Sequence, residues 1–319
     1  MKSISFRMLA ASGLAAAVLF ATPAAAQTKI RAGVAAFNEA LLPVVAAQEQ
    51  GYLKAEKIEV ELINFKGGGP TVQAFVGGSV ELCMCAADHV VRLRSRNQPA
   101  IVLIGLDAFH SYALIGKANG PADLAALKGK TVGITSPGSL TDNTLRFAIS
   151  ELKLNPDRDF QIVGAGVGGA MISAIESGKV DAGMAILTDV AFMMQKKGAF
   201  KVVKEFRDMP YPSFAALALE TWVAKNPEAA RGFNRAVRKA MADLRRDPAL
   251  GRATIKRMYP NFSDELAAEV SKSAIERAPQ GGLLSAEAIR NLNSIVTTAD
   301  TTLKPVAYAD AVKPELLRD

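Results

Sequence analysis

The chain has 319 residues, 50% of them hydrophobic and 6% aromatic, an ordinary globular composition with enough material for a large core divided over two lobes. Its formal net charge of +7 falls to +5 without Lys2 and Arg7. No segment interleaves clustered basic residues with aromatics, so no nucleic-acid partner is expected.

The first element lies ahead of the fold. Lys2 and Arg7 precede an apolar run from Met8 to about Phe20, followed by Pro23-Ala24-Ala25-Ala26. A basic start, a short apolar stretch and small residues read as a secretory signal over residues 1–26, cut near Ala26 and leaving an exported chain. The run is nearly long enough for a membrane anchor, but Pro23 and the alanines favour removal. No cysteine stands beside the cut to take a lipid.

Shifting the sequence by 100 residues lays Gly33–Val90 on Gly133–Val190 without a gap. Identities fall at Gly33/Gly133, Gly68/Gly168, Gly69/Gly169, Ala74/Ala174, Gly78/Gly178, Val80/Val180, Met84/Met184 and Val90/Val190, with conservative pairs such as Val34/Ile134 and Glu81/Asp181 between them. Each copy reads strand, helix, strand, helix, strand. In the first copy these are 30–35, 41–50 (ended by Gly51), 58–65, 71–76 (opened by Gly67-Gly68-Gly69-Pro70) and 80–85. In the second they are 131–135, 142–152, 160–164, 170–176 and 180–186. Two α/β lobes follow, each a mostly parallel sheet covered by helices.

The apolar run 100–116 leads from one copy into the next. Strands at 202–206 and 214–219, around Asp208-Met209-Pro210-Tyr211-Pro212, read as a return crossing. Helices follow, with starts at Asn226-Pro227, where Asn226 is the expected N-cap, and at Ser263 and Ser285. Lobe one is therefore assigned residues 28–112 and 213–319, and lobe two residues 113–212.

Gly51-Tyr52-Leu53 followed by Ile58-Glu59-Val60, the run Gly77–Glu81, Leu127–Ile134 and Gly178–Ala182 together resemble the extracytoplasmic solute-binding proteins of ABC importers, in the branch with sulfonate-, taurine-, nitrate- and thiamine-pyrimidine-binding members. The resemblance implies a type II periplasmic-binding-protein fold. It also implies two lobes joined by two crossing segments, a small-molecule solute and a membrane permease as partners, a monomer, and neither catalysis nor a cofactor.

Open α/β sheets bind ligands beyond the carboxyl ends of their strands. That rule selects Phe37, Asn38, Glu39, Gly68, Gly69, Thr71, Asp88 and His89 in lobe one. In lobe two it selects Ser136, Ser139, Thr141, Thr188 and Asp189. Ser136–Thr141 offers hydroxyls and N–H groups to an oxyanion, or is an ordinary helix cap. Gly68-Gly69 suggests close backbone approach to a ligand, and Gly166–Gly169 tight turns. These loops contain no Arg for a dianion, whereas Glu39, Asp88 and Asp189 can accept from amino or ring N–H groups, and Phe37 and Tyr211 can stack on a ring. The balance favours an amine-bearing or heterocyclic solute.

Enzyme alternatives leave weaker marks. His89 and His110 are candidate bases, but no nucleophile elbow accompanies them. Cys83, Cys85 and His89 offer at most three metal ligands from one segment. As i and i+2 strand residues the cysteines would sit about 6.6 Å apart and are expected as free, buried thiols. A thiamine-pyrimidine-synthase-like enzyme of the same superfamily would be expected to carry a denser cysteine run, and an exported ligand sensor is a third possibility.

Overall fold

The computed structural model describes residues 27–318, so the expected signal segment, residues 1–26, lies outside the described residues. Ten strands form two five-stranded sheets: β1 (Thr28–Val34), β2 (Ile58–Asn64), β3 (Leu82–Cys85), β4 (Ala100–Phe109), β5 (Tyr112–Lys117), β6 (Thr131–Ile134), β7 (Gln161–Gly164), β8 (Ala182–Ile186), β9 (Phe200–Glu205) and β10 (Pro210–Leu219). Their orders are β2-β1-β3-β10-β4 and β7-β6-β8-β5-β9. In the first sheet β1 pairs in parallel with β2 and β3, and β10 runs antiparallel to β3 and β4. In the second, β6 pairs in parallel with β7 and β8, and β5 runs antiparallel to β8 and β9.

The 100-residue shift maps β1 on β6, β2 on β7 and β3 on β8, and the packing repeats with it. A Cβ on Gly33 would meet Thr71, Val80 and Phe65 at 3.0–3.2 Å; one on Gly133 would meet Met171, Ala165 and Val180 at 3.0–3.4 Å. Each glycine lets a helix close on the strand, and the neighbours are the same positions 100 apart. The edge contact repeats as well: Glu81 accepts from the Arg31 amide at 2.7 Å and Asp181 from the Thr131 amide at 2.9 Å.

Period-two burial follows from the pleat. Leu82 and Met84 face a core with Ile30, Val34, Phe214 and Phe233, covered by the helices Leu42–Glu49 and Pro227–Arg246. Cys83 and Cys85 face the opposite core, which continues without a break into Leu114, Ile134 and Met184 of the second lobe. The helix Ala286–Ala299 packs on β10 and on the second-lobe helix Leu140–Glu151, bracing one lobe against the other.

The chain passes between sheets twice, from β4 through His110-Ser111 into β5 and from β9 through residues 206–209 into β10. The passages are tied side by side, the His110 amide donating to the Met209 carbonyl at 2.9 Å and Ser111 Oγ lying 2.5 Å from Ser213 Oγ.

Three expectations need correction. Cys83 and Cys85 are joined in a disulfide, with Cα atoms 5.5 Å apart instead of an ideal strand's spacing; the local backbone is drawn in to a distance that a disulfide spans. Asn226 makes no capping bond, because its Nδ2 donates back to the Trp222 carbonyl at the end of the preceding helix Glu220–Lys225. Pro210–Pro212 belongs to β10 instead of preceding it: register breaks between Pro210 and Phe214 accommodate residues that cannot donate to a ladder. Ser263 and Ser285 do cap, accepting from the Leu266 and Ala288 amides.

Candidate functional site

The carboxyl ends of β1, β2 and β3 face those of β6 and β7 across a small, partly open cavity. Ala35, Ala36, Gly68, Ala86, His89, Ser213 and Phe214 line it from one side, and Tyr112, Thr135, Ser139, Leu140 and Val167 from the other. Larger hollows lie near Phe147, Val203 and Met209, between the helices Pro248–Met258 and Asp264–Arg277, and between the helices Leu187–Gln195 and Asp264–Arg277. The first two draw their walls from one flank of the molecule and the third opens between helices of the two lobes, whereas the small cavity receives the loops at which an open sheet binds ligands.

Glycine shapes one wall. A Cβ on Gly68 would stand 2.8 Å from His89 Nε2, so its absence lets the ring reach the cavity. Burial holds the His89 ring below its usual pKa and therefore neutral, against the opposing effect of Asp88. The next amide, Gly69 N–H, donates to Ser136 Oγ across the cleft at 3.4 Å. On the other wall Thr135, Ser139 and Thr141 place three hydroxyls within 2.8–2.9 Å of each other, and Thr141 Oγ1 accepts from the Thr135 amide. Ser139 occupies the N-cap position of Leu140–Glu151 but makes no side-chain cap bond. Its hydroxyl is turned into the triad.

A second group, which includes the expected Asp88 and Tyr211, fastens the lobes beside the cavity. Asn143 Nδ2 donates to Asp88 Oδ2 at 2.8 Å, and Asn143 Oδ1 accepts from Arg92 Nη2 at 2.7 Å, while Arg92 also pairs with Asp300. Asp88 Oδ1 has no hydrogen-bond partner. Tyr211 is fully buried, its ring 5.4 Å from that of His110, and burial followed by the Asp88 charge raises its phenol pKa well above the ordinary value.

The third group is acidic. Glu39 is 1% exposed and neither carboxylate oxygen meets a donor in hydrogen-bonding geometry. Burial pushes its pKa up to about 7, opposed first by its own backbone amide and then by Arg277 and Thr188, with Asp107 adding to the rise. Asp189, on the helix Leu187–Gln195 of the other lobe, is pushed by burial up to about 6, with the Gly168 amide opposing. Tyr112, a wall of the cavity, feels the charge of both.

Three expected residues point elsewhere. Asn38 Oδ1 caps the turn Glu39–Leu41 through the Ala40 amide. Thr71 Oγ1 donates to the Gly67 carbonyl within its own helix start. Phe37 is exposed, its ring 6.4 Å from that of Tyr259; Gly69, in contrast, stays at the cleft against the opposite loop. Sequence reasoning missed Asn143, Tyr259 and Arg277, whose places depend on how the lobes meet. Ser213 and Phe214 lie in the strand assigned after the return crossing, where a cavity wall carries no local signature.

A family model described as NMT1/THI5 like matches residues 38–250. The chain belongs to the NMT1/THI5-like family. Among its relatives, the 4-amino-5-hydroxymethyl-2-methylpyrimidine phosphate synthase of Schizosaccharomyces pombe is 25% identical over 255 residues, 74% of this chain and 70% of that one. A structure from Bordetella bronchiseptica RB50 superposes with a TM-score of 0.79 at 21% identity, over 91% of this chain and 96% of that one. The periplasmic aliphatic sulphonate binding protein SsuA from Escherichia coli gives 0.67 at 18%, over 91% and 99%. The family member described here thus has the two-lobed periplasmic-binding-protein fold. Its two cysteine sulfurs are bonded to each other, and no group of three or more His, Cys, Asp or Glu among the described residues is placed to hold a metal.

Proposed function

We propose that the protein is the exported, periplasmic solute-binding component of an ABC-type importer, with its leader cut near Ala26. It captures a small polar or heterocyclic organic solute between residues 28–112 with 213–319 and residues 113–212, and delivers it to a membrane permease. It works as a monomeric binder, not as an enzyme. The observation that supports this most is the small cavity between the carboxyl ends of two sheets, with polar groups contributed by both lobes. Joining the lobes through two adjacent passages suits a hinge that closes on a ligand.

A thermal-shift screen with sulfonates, carboxylates, pyrimidines, polyamines and nitrate tests the reading. A ligand at 100 times its Kd adds about 2.7 kcal/mol to stability, a readily visible displacement of the midpoint. The similarity to the yeast pyrimidine phosphate synthase supports a second reading. Formation of a pyrimidine phosphate by the protein supplied with iron and pyridoxal phosphate, in the absence of any stabilising solute, would establish that reading in place of the first.

A further inference from the structure

Glu39 follows the carboxyl end of β1, and Asp189 follows β8 in the other lobe. Beside Glu39 stand Asp107 and Arg277, Thr188 and Asp189 from across the cleft, Arg207 from the second passage, and the phenols of Tyr112 and Tyr259. The cations in this set are already engaged. Arg277 Nη2 lies 2.9 Å from Asp107, and Arg207 Nη2 lies 2.6 Å from Glu205. Tyr259 donates to the Phe37 carbonyl at 3.2 Å. Two carboxyl groups, one from each lobe, stand close to Tyr112 of the cavity wall without a matching cation, and Glu39 is almost fully buried, with its own amide and the Thr188 hydroxyl nearby but no donor in hydrogen-bonding geometry to either oxygen. A buried carboxylate lacking donors is costly unless something supplies them.

We infer that the solute bears a cationic nitrogen group, an ammonium or amidinium, and that Glu39 and Asp189 receive it from opposite lobes. The inference rests on the solute-binding reading and narrows it to organic cations. Closure then follows from the chemistry: a cation with several N–H donors satisfies acceptors on both lobes only when the cleft is shut, so its binding energy favours the closed form. A simple sulfonate or nitrate brings negative charge towards two carboxyl groups and is disfavoured. The raised pKa values of the two groups support the same picture, because a bound cation would restore their ionised forms.

The test is calorimetric titration of the wild-type protein, Glu39→Gln and Asp189→Asn with agmatine, putrescine and benzamidine, alongside methanesulfonate and nitrate. These cations stay protonated at about pH 8 and about pH 5.5, so a pH effect reports on the protein. The expected result is that at least one cation binds, that each substitution weakens it tenfold or more, and that the wild type loses roughly tenfold or more on acidification while Glu39→Gln loses less. Unchanged melting of the variants in the absence of ligand establishes that they fold. Tight binding of an anion with none by the cations overturns the inference but leaves the solute-binding reading standing. Cation binding unaffected by both substitutions also overturns it, as does failure of all three cations to bind; the broader thermal-shift screen then judges solute binding independently.

Discussion

Asn143 of the second lobe donates to the Asp88 carboxylate of the first at 2.8 Å, and its amide oxygen accepts from Arg92. All three side chains meet at the seam beside the cavity, so this contact exists only while the lobes are together. Asn143→Leu should remove both bonds and leave Asp88 in the closed form without a donor, at a cost of about 1–3 kcal/mol. The open form, where water solvates Asp88, is spared that cost. Small-angle scattering should show a larger radius of gyration for the variant, with ligand affinity reduced by the same equilibrium. Unchanged dimensions and affinity would mean that this contact does not hold the lobes shut.

Arg277 pins the two passages from the side. It donates to Asp107 at 2.9 Å, to the His110 carbonyl at 3.0 Å and to the Arg207 carbonyl at 3.0 Å. Arg277→Met should strand a buried carboxylate and cost about 3–5 kcal/mol in urea unfolding. Adding Asp107→Asn should recover part of that loss. If the double variant is no more stable than the single one, the pair is not the source of the effect.

Glu39 predicts a pH signature for the ligand-free protein. Its folded pKa of about 7 lies above the ordinary 4.5, so between these values the folded chain holds a proton that the unfolded chain has released, and stability falls as pH rises. The stability of Glu39→Gln relative to wild type should therefore grow from about pH 4.5 to 7 and level off above, by up to about 3 kcal/mol. His110, held by burial down to about 3, acts in the opposite direction, adding stability as pH rises towards 6.5. It is common to both proteins and cancels in the difference. A difference that does not vary with pH would show that Glu39 titrates normally.

Gly68→Ala should act on the cavity more than on the fold. The new methyl group would lie 2.8 Å from His89 Nε2 and 3.6 Å from Ser139 Cβ, so the ring must move into the space a solute would take. We expect ligand affinity to fall at least about tenfold, equivalent to about 1.4 kcal/mol, with a smaller change in the ligand-free melting midpoint. Full affinity in the variant would place the solute away from this wall.

The repeat made much of the fold legible. Gly33 and Gly133, and Glu81 and Asp181, sit in matching surroundings because the same strand–helix unit is built twice, so local pattern and tertiary contact agree. The candidate cavity was partly legible, since loops at strand ends are fixed by topology: Gly68, His89 and Ser139 reach it. What remained hidden depends on contacts between parts far apart in sequence. Asn143 lies inside a helix whose sequence gives no sign of the opposite lobe. Tyr259 and Arg277 come from C-terminal helices that meet the cleft only after the chain has crossed back. The Cys83–Cys85 bond was misjudged because an ideal strand keeps i and i+2 too far apart, and only the local backbone brings them to 5.5 Å.

A solute held between the lobes should leave its mark in hydrogen exchange with a stabilising ligand bound. Loops from both sides of the cavity should be protected together, residues 35–39, 66–71 and 86–89 with 135–141 and 165–169. Protection confined to one lobe, or centred on the surface hollow near Phe147 and Met209, would contradict it.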